Sequence, residues 1–355
     1  VATIRDVAKR AGVAISTVSA VINRSAPTSE AVVARVEQAI AEIGYMPHGA
    51  AQALRSGQSR LIGLIVPDIT NPHFSTVARV IETVCLAAGY MTFVYNTDED
   101  ADHEMHILKM MRQQRVAGLI LISTRSDAEH GARLMAEINV PTVLLGSHVE
   151  GVPFDEITLD EVRAGQLAVG YLLGLEHRRI AVIGGRKGVS TADERLEGCR
   201  LAFVEHGLSL PDELILPGNF SQTQAFESTR RIMSGQQGAS AIVTLSNFMT
   251  IGVMRGLVAM NLTSPRDVSI IGIDDFEWAE IMNPQPCAIA QPVVEMAEVA
   301  IGTLLDQIES GKKPTGQRRL FEPTLVVRTS CAPAKGRSDG RPSARRIKPG
   351  GTMSA

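Results

Sequence analysis

Long apolar runs are missing from this sequence: none approaches the ~18–20 consecutive apolar residues of a membrane-spanning helix, so no helical span is expected. Cysteine is scarce. Cys85, Cys199, Cys287 and Cys331 are scattered and form no C-x-x-C pair, so buried free thiols in a reducing compartment are expected rather than disulfides or a metal site. A positively charged and then apolar leader is also missing, which points to the cytoplasm. The usual catalytic signatures are absent too. The eight histidines are dispersed, and neither G-x-S-x-G nor H-E-x-x-H occurs. Gly184-Gly185 lacks the G-x-x-x-x-G-K-[ST] spacing of a phosphate loop. Asp274-Asp275 has no third histidine or glutamate clustered nearby, so a metal pair is not expected. These absences argue against an enzyme and imply no cofactor.

What is present has the make-up of an ordinary soluble protein. The chain has 355 residues, 45% of them hydrophobic and 21% charged, a length that suggests two or three domains. The net charge of -3 conceals an asymmetry. Residues 1–60 carry +3 and residues 335–355 carry +5, which leaves -11 on the middle of the chain. A basic head on an acidic body suits a polyanion bound at one end.

The head is the most informative stretch. Thr3 can cap a helix, and Asp6 three residues later can answer back, as in a capping box. Val7, Ala8 and Ala11 recur at helical spacing before Gly12 breaks the helix. A second helix is predicted from about Ile15 to Asn23, with Val18, Val21 and Ile22 inward. A third follows from Ser29 as N-cap to Gly44 as C-cap, with Val32, Val33, Val36, Ala39, Ile40 and Ile43 inward. A helix-turn-helix of this kind lays its second helix in the major groove of DNA.

The motif does not stand alone. Thr3-Ile4, Asp6-Val7-Ala8 and Ala11-Gly12-Val13 continue into Ser16-Thr17-Val18-Ser19 and Asn23, then Ile43-Gly44-Tyr45, Pro47 and Ala51-Gln52-Ala53-Leu54. Together these resemble the LacI/GalR family of bacterial transcription regulators, over roughly residues 2–333. The resemblance implies a DNA-binding domain at 1–46, a hinge at 47–60, a two-lobed effector-binding and dimerisation body at 61–333, and a tail. It also implies a homodimer, associated with the nucleoid, on a pseudo-palindromic double-stranded operator, most often as a repressor.

On that resemblance, Ile15, Ser16 and Ala20 face bases, and Thr3, Thr17, Ser19, Asn23, Tyr45 and His48 complete the head's DNA contacts. Ala14 stands where most members have a serine that caps the helix and touches phosphate. Ala20 stands where many have arginine, and a side chain ending at Cβ cannot make the bidentate contact to guanine. Ile15 and Ala20 can instead pack on thymine methyls. In the hinge, Leu54 takes the place of the leucine wedged into the minor groove, with Ala51 and Gln52 beside it. His48 replaces the usual asparagine after the proline.

From Leu61 onward short apolar runs alternate with helical stretches. The runs are Leu61–Pro67, Thr92–Tyr95, Gly118–Ile122, Thr142–Leu145, Ile180–Ile183, Ala241–Leu245 and Val268–Ile273. Strand-helix alternation implies an α/β fold of parallel sheets wound by right-handed crossovers. The resemblance makes this a periplasmic-binding-protein-like body. Lobe 1 is expected at 61–160 and 292–321, and lobe 2 at 161–290 and 322–330. Residues 334–355, rich in Gly, Pro, Ser and Arg, are expected to be a disordered basic tail.

In two-lobed α/β proteins ligands bind beyond the carboxyl ends of the strands. The resemblance places an effector there, against His73, Phe74, Thr191, Arg195, Phe220, Asn247, Asp274 and Gln291. Gly146 and Phe248 stand where family members often have acids, which leaves Arg195 facing a more positive cleft. The expected effector is a carbohydrate, and that charge count favours a sugar acid over a neutral sugar. The opposing reading is that Asp274 already neutralises Arg195. A different function, solute binding for sugar uptake, is disfavoured by the head and by the missing leader.

Overall fold

The computed structural model describes residues 2–23, 26–45, 59–235 and 238–334. His48, Ala51, Gln52, Leu54 and the side chain of Asn23 lie outside the described residues, as do residues 335–355.

The head is three helices: α1 (Ile4–Ala11), α2 (Ile15–Asn23) and α3 (Glu30–Ile43). The capping box at Thr3 is formed. The Thr3 amide donates to the Asp6 carboxylate at 2.8 Å, and the Asp6 amide donates to the Thr3 hydroxyl at 3.4 Å. Gly12 and Gly44 end α1 and α3 at φ 64° and 60°, left-handed positions that cost a residue with a Cβ more than glycine. Val7, Ala8, Ala11, Val18, Val36 and Ala39 are buried together, with Val21, Ile22, Val32, Ile40, Ile43 and Tyr45 packed around them. One cap differs from expectation. Ser29 stands at the N-cap of α3, but its side chain makes no capping hydrogen bond. This helix end is exposed, so water can serve its free amides.

The body contains two six-stranded sheets. The first has the order β11-β5-β4-β3-β1-β2, from β1 (Leu61–Val66), β2 (Met91–Asn96), β3 (Gly118–Leu121), β4 (Thr142–Leu145), β5 (Asp155–Leu159) and β11 (Arg318–Phe321). The second has the order β12-β10-β9-β8-β6-β7, from β6 (Ile180–Gly184), β7 (Ile215–Pro217), β8 (Ala241–Thr244), β9 (Ser269–Ile273), β10 (Cys287–Ala290) and β12 (Thr324–Val326). Helices α4 (Pro72–Ala87), α5 (Ala101–Gln113), α6 (Ala128–Glu137) and α11 (Val293–Ser310) belong with the first sheet. Helices α7 (Glu161–Gly174), α8 (Ser190–Glu205), α9 (Gln222–Ser234) and α10 (Asn247–Ala259) belong with the second.

The central strands are buried along most of their length, which explains their continuous apolar runs. Ladders are parallel except at one edge, where β12 pairs antiparallel with β10. That edge departs from the all-parallel expectation for a reason of chain direction. β11 runs parallel to β5 and so ends at the carboxyl edge of the first sheet; with only Glu322 and Pro323 before β12, the chain enters the second sheet from the carboxyl ends of its strands and runs back against β10. A second correction concerns the tail. Ala334 donates its amide to the Leu175 carbonyl at 2.8 Å, so the first residue assigned to the tail packs on the body.

Glycines set how closely α7 and α8 approach. A Cβ on Gly165 would lie 2.1 Å from the Arg195 carbonyl, and one on Gly198 would lie 1.9 Å from the Val162 carbonyl. The two backbones touch there, and this contact brings Glu161 on α7 against Arg195 on α8.

Candidate functional site

A cavity of about 120 Å³ lies between the carboxyl ends of the two sets of strands. Each wall follows from a strand end. After β1, Asn71 caps α4 by accepting the His73 amide at 3.0 Å, with Pro72 in the first turn. That cap puts His73 and Phe74 on the cavity wall, their rings edge-on at 4.9 Å. After β6, Thr191 and Arg195 sit one turn apart on α8 and both reach the cavity. Phe220 follows β7, Asp274 follows β9 and Gln291 follows β10.

Arg195 is the electrostatic centre. Its guanidinium is held by the Glu161 carboxylate through Nε at 2.6 Å and Nη2 at 3.1 Å. Asp274 takes Nη1 at 3.2 Å and Nη2 at 3.3 Å, and the Leu245 carbonyl accepts Nη1 at 2.7 Å. Gln291 donates to the same Asp274 carboxylate. All three ionised side chains are buried. Burial works against the arginine charge, but Asp274 and Glu161 more than offset it and hold the guanidinium above its ordinary pKa. Burial pushes Glu161 up to about 6, with Arg195 opposing. Burial holds the His73 imidazole below its ordinary value; Asp274 pulls it up and Arg195 pushes it down.

This arrangement matches the opposing reading of the sequence, in which Asp274 neutralises Arg195, and adds Glu161 as a second partner. Glu161 lay outside the predicted site, yet it supplies the closest carboxylate. Its signal in the sequence was an acid two residues beyond a strand, at the first position of a helix. Asp68, Glu99 and Ser123 also line the cavity and were not predicted. Asn247 is not on the lining. It is fully buried, its amide donating to Asn71 Oδ1 at 2.9 Å and its carbonyl accepting from the Phe248 amide. Its neighbours Ser246 and Phe248 line the cavity instead.

Contacts between lobes surround the cavity. Besides Asn71 and Asn247, the Ser190 amide donates to Ser126 Oγ at 2.7 Å, and the His148 amide donates to Ser190 Oγ at 2.9 Å. Arg186 donates to the Glu99 carbonyl, and Arg318 bridges to Glu194 at 2.7 Å. Several cavity residues have strained backbones. Glu99, Phe220 and Asp274 adopt φ of 60°, 57° and 71°, where non-glycine residues are uncommon. Among the described residues no group of His, Cys, Asp and Glu could hold a metal ion, and no helix is long and apolar enough to cross a membrane.

In the head, Ile15 is 38% exposed at the first turn of α2, beside an exposed Ser16. Thr17, Ser19 and Ala20 are half-buried on the same helix, and Tyr45 packs on the head core. The Ala14 carbonyl opens the helix, accepting the Thr17 and Val18 amides at 3.0 and 3.1 Å.

Comparison with known proteins decides the family. Residues 3–48 match the model for bacterial regulatory proteins of the lacI family, and residues 169–331 match that for a periplasmic binding protein-like domain. The ribose operon repressor of Escherichia coli K12 is 35% identical over 330 residues, which cover 92% of this chain and 98% of that protein. The chain belongs to the LacI family of bacterial regulatory proteins. A crystal structure of the lac repressor dimer, bound to operator and the anti-inducer ONPF, has a TM-score of 0.82 and 25% identity, covering 93% of this chain and 99% of that one. A LacI family regulator from Enterococcus faecium with bound ribose has a TM-score of 0.69 and 28% identity, covering 78% of this chain and all of that one. The fold is accordingly the family's: N-terminal helices followed by two lobes, each built on a mainly parallel sheet.

Proposed function

We propose that this chain is a homodimeric repressor that binds a pseudo-palindromic double-stranded operator, and that a neutral monosaccharide between the lobes controls it. The observation that carries the effector reading is the state of Arg195, already neutralised by Glu161 and Asp274. Among the described lining residues a ligand carboxylate finds no unpaired cation, and it meets Asp68 and Glu99 on the same walls. At an effective dielectric of about 20, two like charges ~4 Å apart repel by roughly 4 kcal/mol. Hydroxyl groups, by contrast, donate to carboxylates without that penalty. The ribose operon repressor and the ribose-bound relative are consistent with a ligand of this class. The acidic effector favoured by the charge count took Arg195 to face a more positive cleft, and its pairing with Glu161 and Asp274 argues for the neutral sugar instead.

The head supports DNA binding through a capped three-helix core with Ile15 and Ser16 turned outward on the second helix. A protein serving solute uptake has no use for such a head. Selection from random-sequence DNA, followed by gel shift with D-ribose or D-ribonate, tests the reading. A two-fold site bound by a dimer, with binding altered by the neutral sugar, is the expected result. Recovery of single half-sites bound by monomer, or a response to ribonate alone, contradicts it.

A further inference from the structure

We infer that Glu99 is a specificity-determining residue of the effector site, accepting a hydroxyl proton from a neutral sugar and turning anionic sugars away. This rests on the reading of the cavity as the effector site. The carboxylate stands at the end of β2, where the chain leaves the sheet through Asn96-Thr97-Asp98-Glu99. Two successive non-glycine residues there take left-handed backbones, Asp98 at φ 53° and Glu99 at φ 60°. Such positions disfavour residues with a Cβ, so the surroundings must hold them in place. They do. The Thr97 and Asp98 amides donate to the Val66 and Pro67 carbonyls, each at 2.9 Å, and Arg186 from the other lobe donates to the Glu99 carbonyl. The turn is clamped from both lobes, and Glu99 lines the cavity.

The carboxylates of the cavity differ in what they already hold. Glu161 and Asp274 are taken up by Arg195, and Asp68 Oδ1 accepts the Thr70 amide and hydroxyl. No hydrogen bond or ion pair engages the Glu99 carboxylate among the described residues, and a half-buried carboxylate with open lone pairs is an acceptor awaiting a donor. Burial raises its pKa; Arg186 opposes this, and the neighbouring Asp68 and Glu104 reinforce it. A sugar hydroxyl satisfies such a group, whereas a sugar carboxylate adds a further negative charge.

The test is Glu99→Gln, which keeps the shape of the side chain and removes the charge. Titration calorimetry compares D-ribose, D-xylulose and D-ribonate on the full-length parent and variant, with thermal unfolding as a check on folding. The parent is expected to bind a neutral pentose and refuse ribonate. In the variant the pentose should weaken by roughly 5-fold, as for a charge-assisted hydrogen bond reduced to a neutral one, while ribonate gains affinity. A merely structural role would weaken the pentoses with no gain for ribonate, and that result overturns the inference. Unchanged pentose affinity overturns it as well and leaves the sugar reading standing. If the parent binds neither pentose, the sugar reading fails and the role of Glu99 falls with it.

Discussion

Arg195 illustrates how one buried residue sets the chemistry of a cavity. A guanidinium shut away from water is tolerable only when paired and hydrogen-bonded, and here two carboxylates and a carbonyl surround it. Arg195→Leu would leave Glu161 and Asp274 buried without their partner. A loss of about 3–5 kcal/mol in unfolding free energy is expected, read from the urea midpoint. A loss below roughly 1 kcal/mol would show that the carboxylates relax by taking up protons. Glu161 makes a separate prediction. Its folded pKa of about 6 lies above the ordinary 4.5, so its contribution to stability is present below pH 4.5 and is lost as the pH rises through about 6. Melting temperatures of the parent, relative to Glu161→Gln, should fall across that window and level off above it. A rise across the window would mean that the ion pair with Arg195 outweighs burial.

At the scale of elements, the crossing of α7 and α8 aligns Glu161 with Arg195. The helices approach this closely because Gly165 and Gly198 present backbone to backbone. Gly198→Ala places a methyl group 1.9 Å from the Val162 carbonyl, a contact that a rigid main chain cannot absorb. The helices must separate, and overpacking of this kind costs typically about 1–3 kcal/mol. The expected result is lower stability together with weaker effector binding, although Gly198 itself is off the cavity lining. Gly302→Ala, exposed in mid-helix with open space around its Cβ, is the control: it should leave effector affinity unchanged and raise stability by about 0.5–1 kcal/mol. If Gly198→Ala destabilises the protein yet leaves effector affinity intact, the helix crossing does not position the arginine. The same logic of local geometry governs α4, where the Asn71-Pro72 cap turns His73 and Phe74 onto the cavity wall.

At the scale of the body, the two lobes are joined by polar contacts around the cavity, and a ligand that favours one lobe arrangement shifts the population toward it. Asn247 belongs to this fastening rather than to the lining: its amide reaches Asn71 across the lobes at 2.9 Å. Asn247→Ala removes the bond and leaves Asn71 without that donor. Effector affinity should fall by about 5–10-fold, in line with a net contribution near 1 kcal/mol for a typical hydrogen bond. Small-angle scattering of the ligand-free variant should show a larger radius of gyration than the parent. Unchanged scattering and affinity together would mean that Asn247 has no part in lobe closure.

Much of this protein follows from sequence alone, because its signals act over a few residues. Capping at Thr3, the breaks at Gly12 and Gly44 and the spacing of Val7, Ala8, Ala11 and Val18 are decided within one or two helical turns. Runs such as Leu61–Val66 and Ile180–Ile183 announce strands buried on both faces, and residues just beyond strand ends mark a cleft. Short or edge strands such as β7, β11 and β12 carry no such run. Arg318-Arg319-Leu320 is mostly exposed, and its pairing with β5 is set by contacts about 160 residues away in sequence. The same distance problem hid the electrostatics. Glu161 is 34 positions from Arg195 and Asp274 is 79, so no local pattern reveals that both meet one guanidinium. Sequence placed the arginine and the aspartate at strand ends. Only the tertiary structure made the cleft acidic, because the charge felt by a buried group depends on every ionised neighbour packed against it, however distant in the chain.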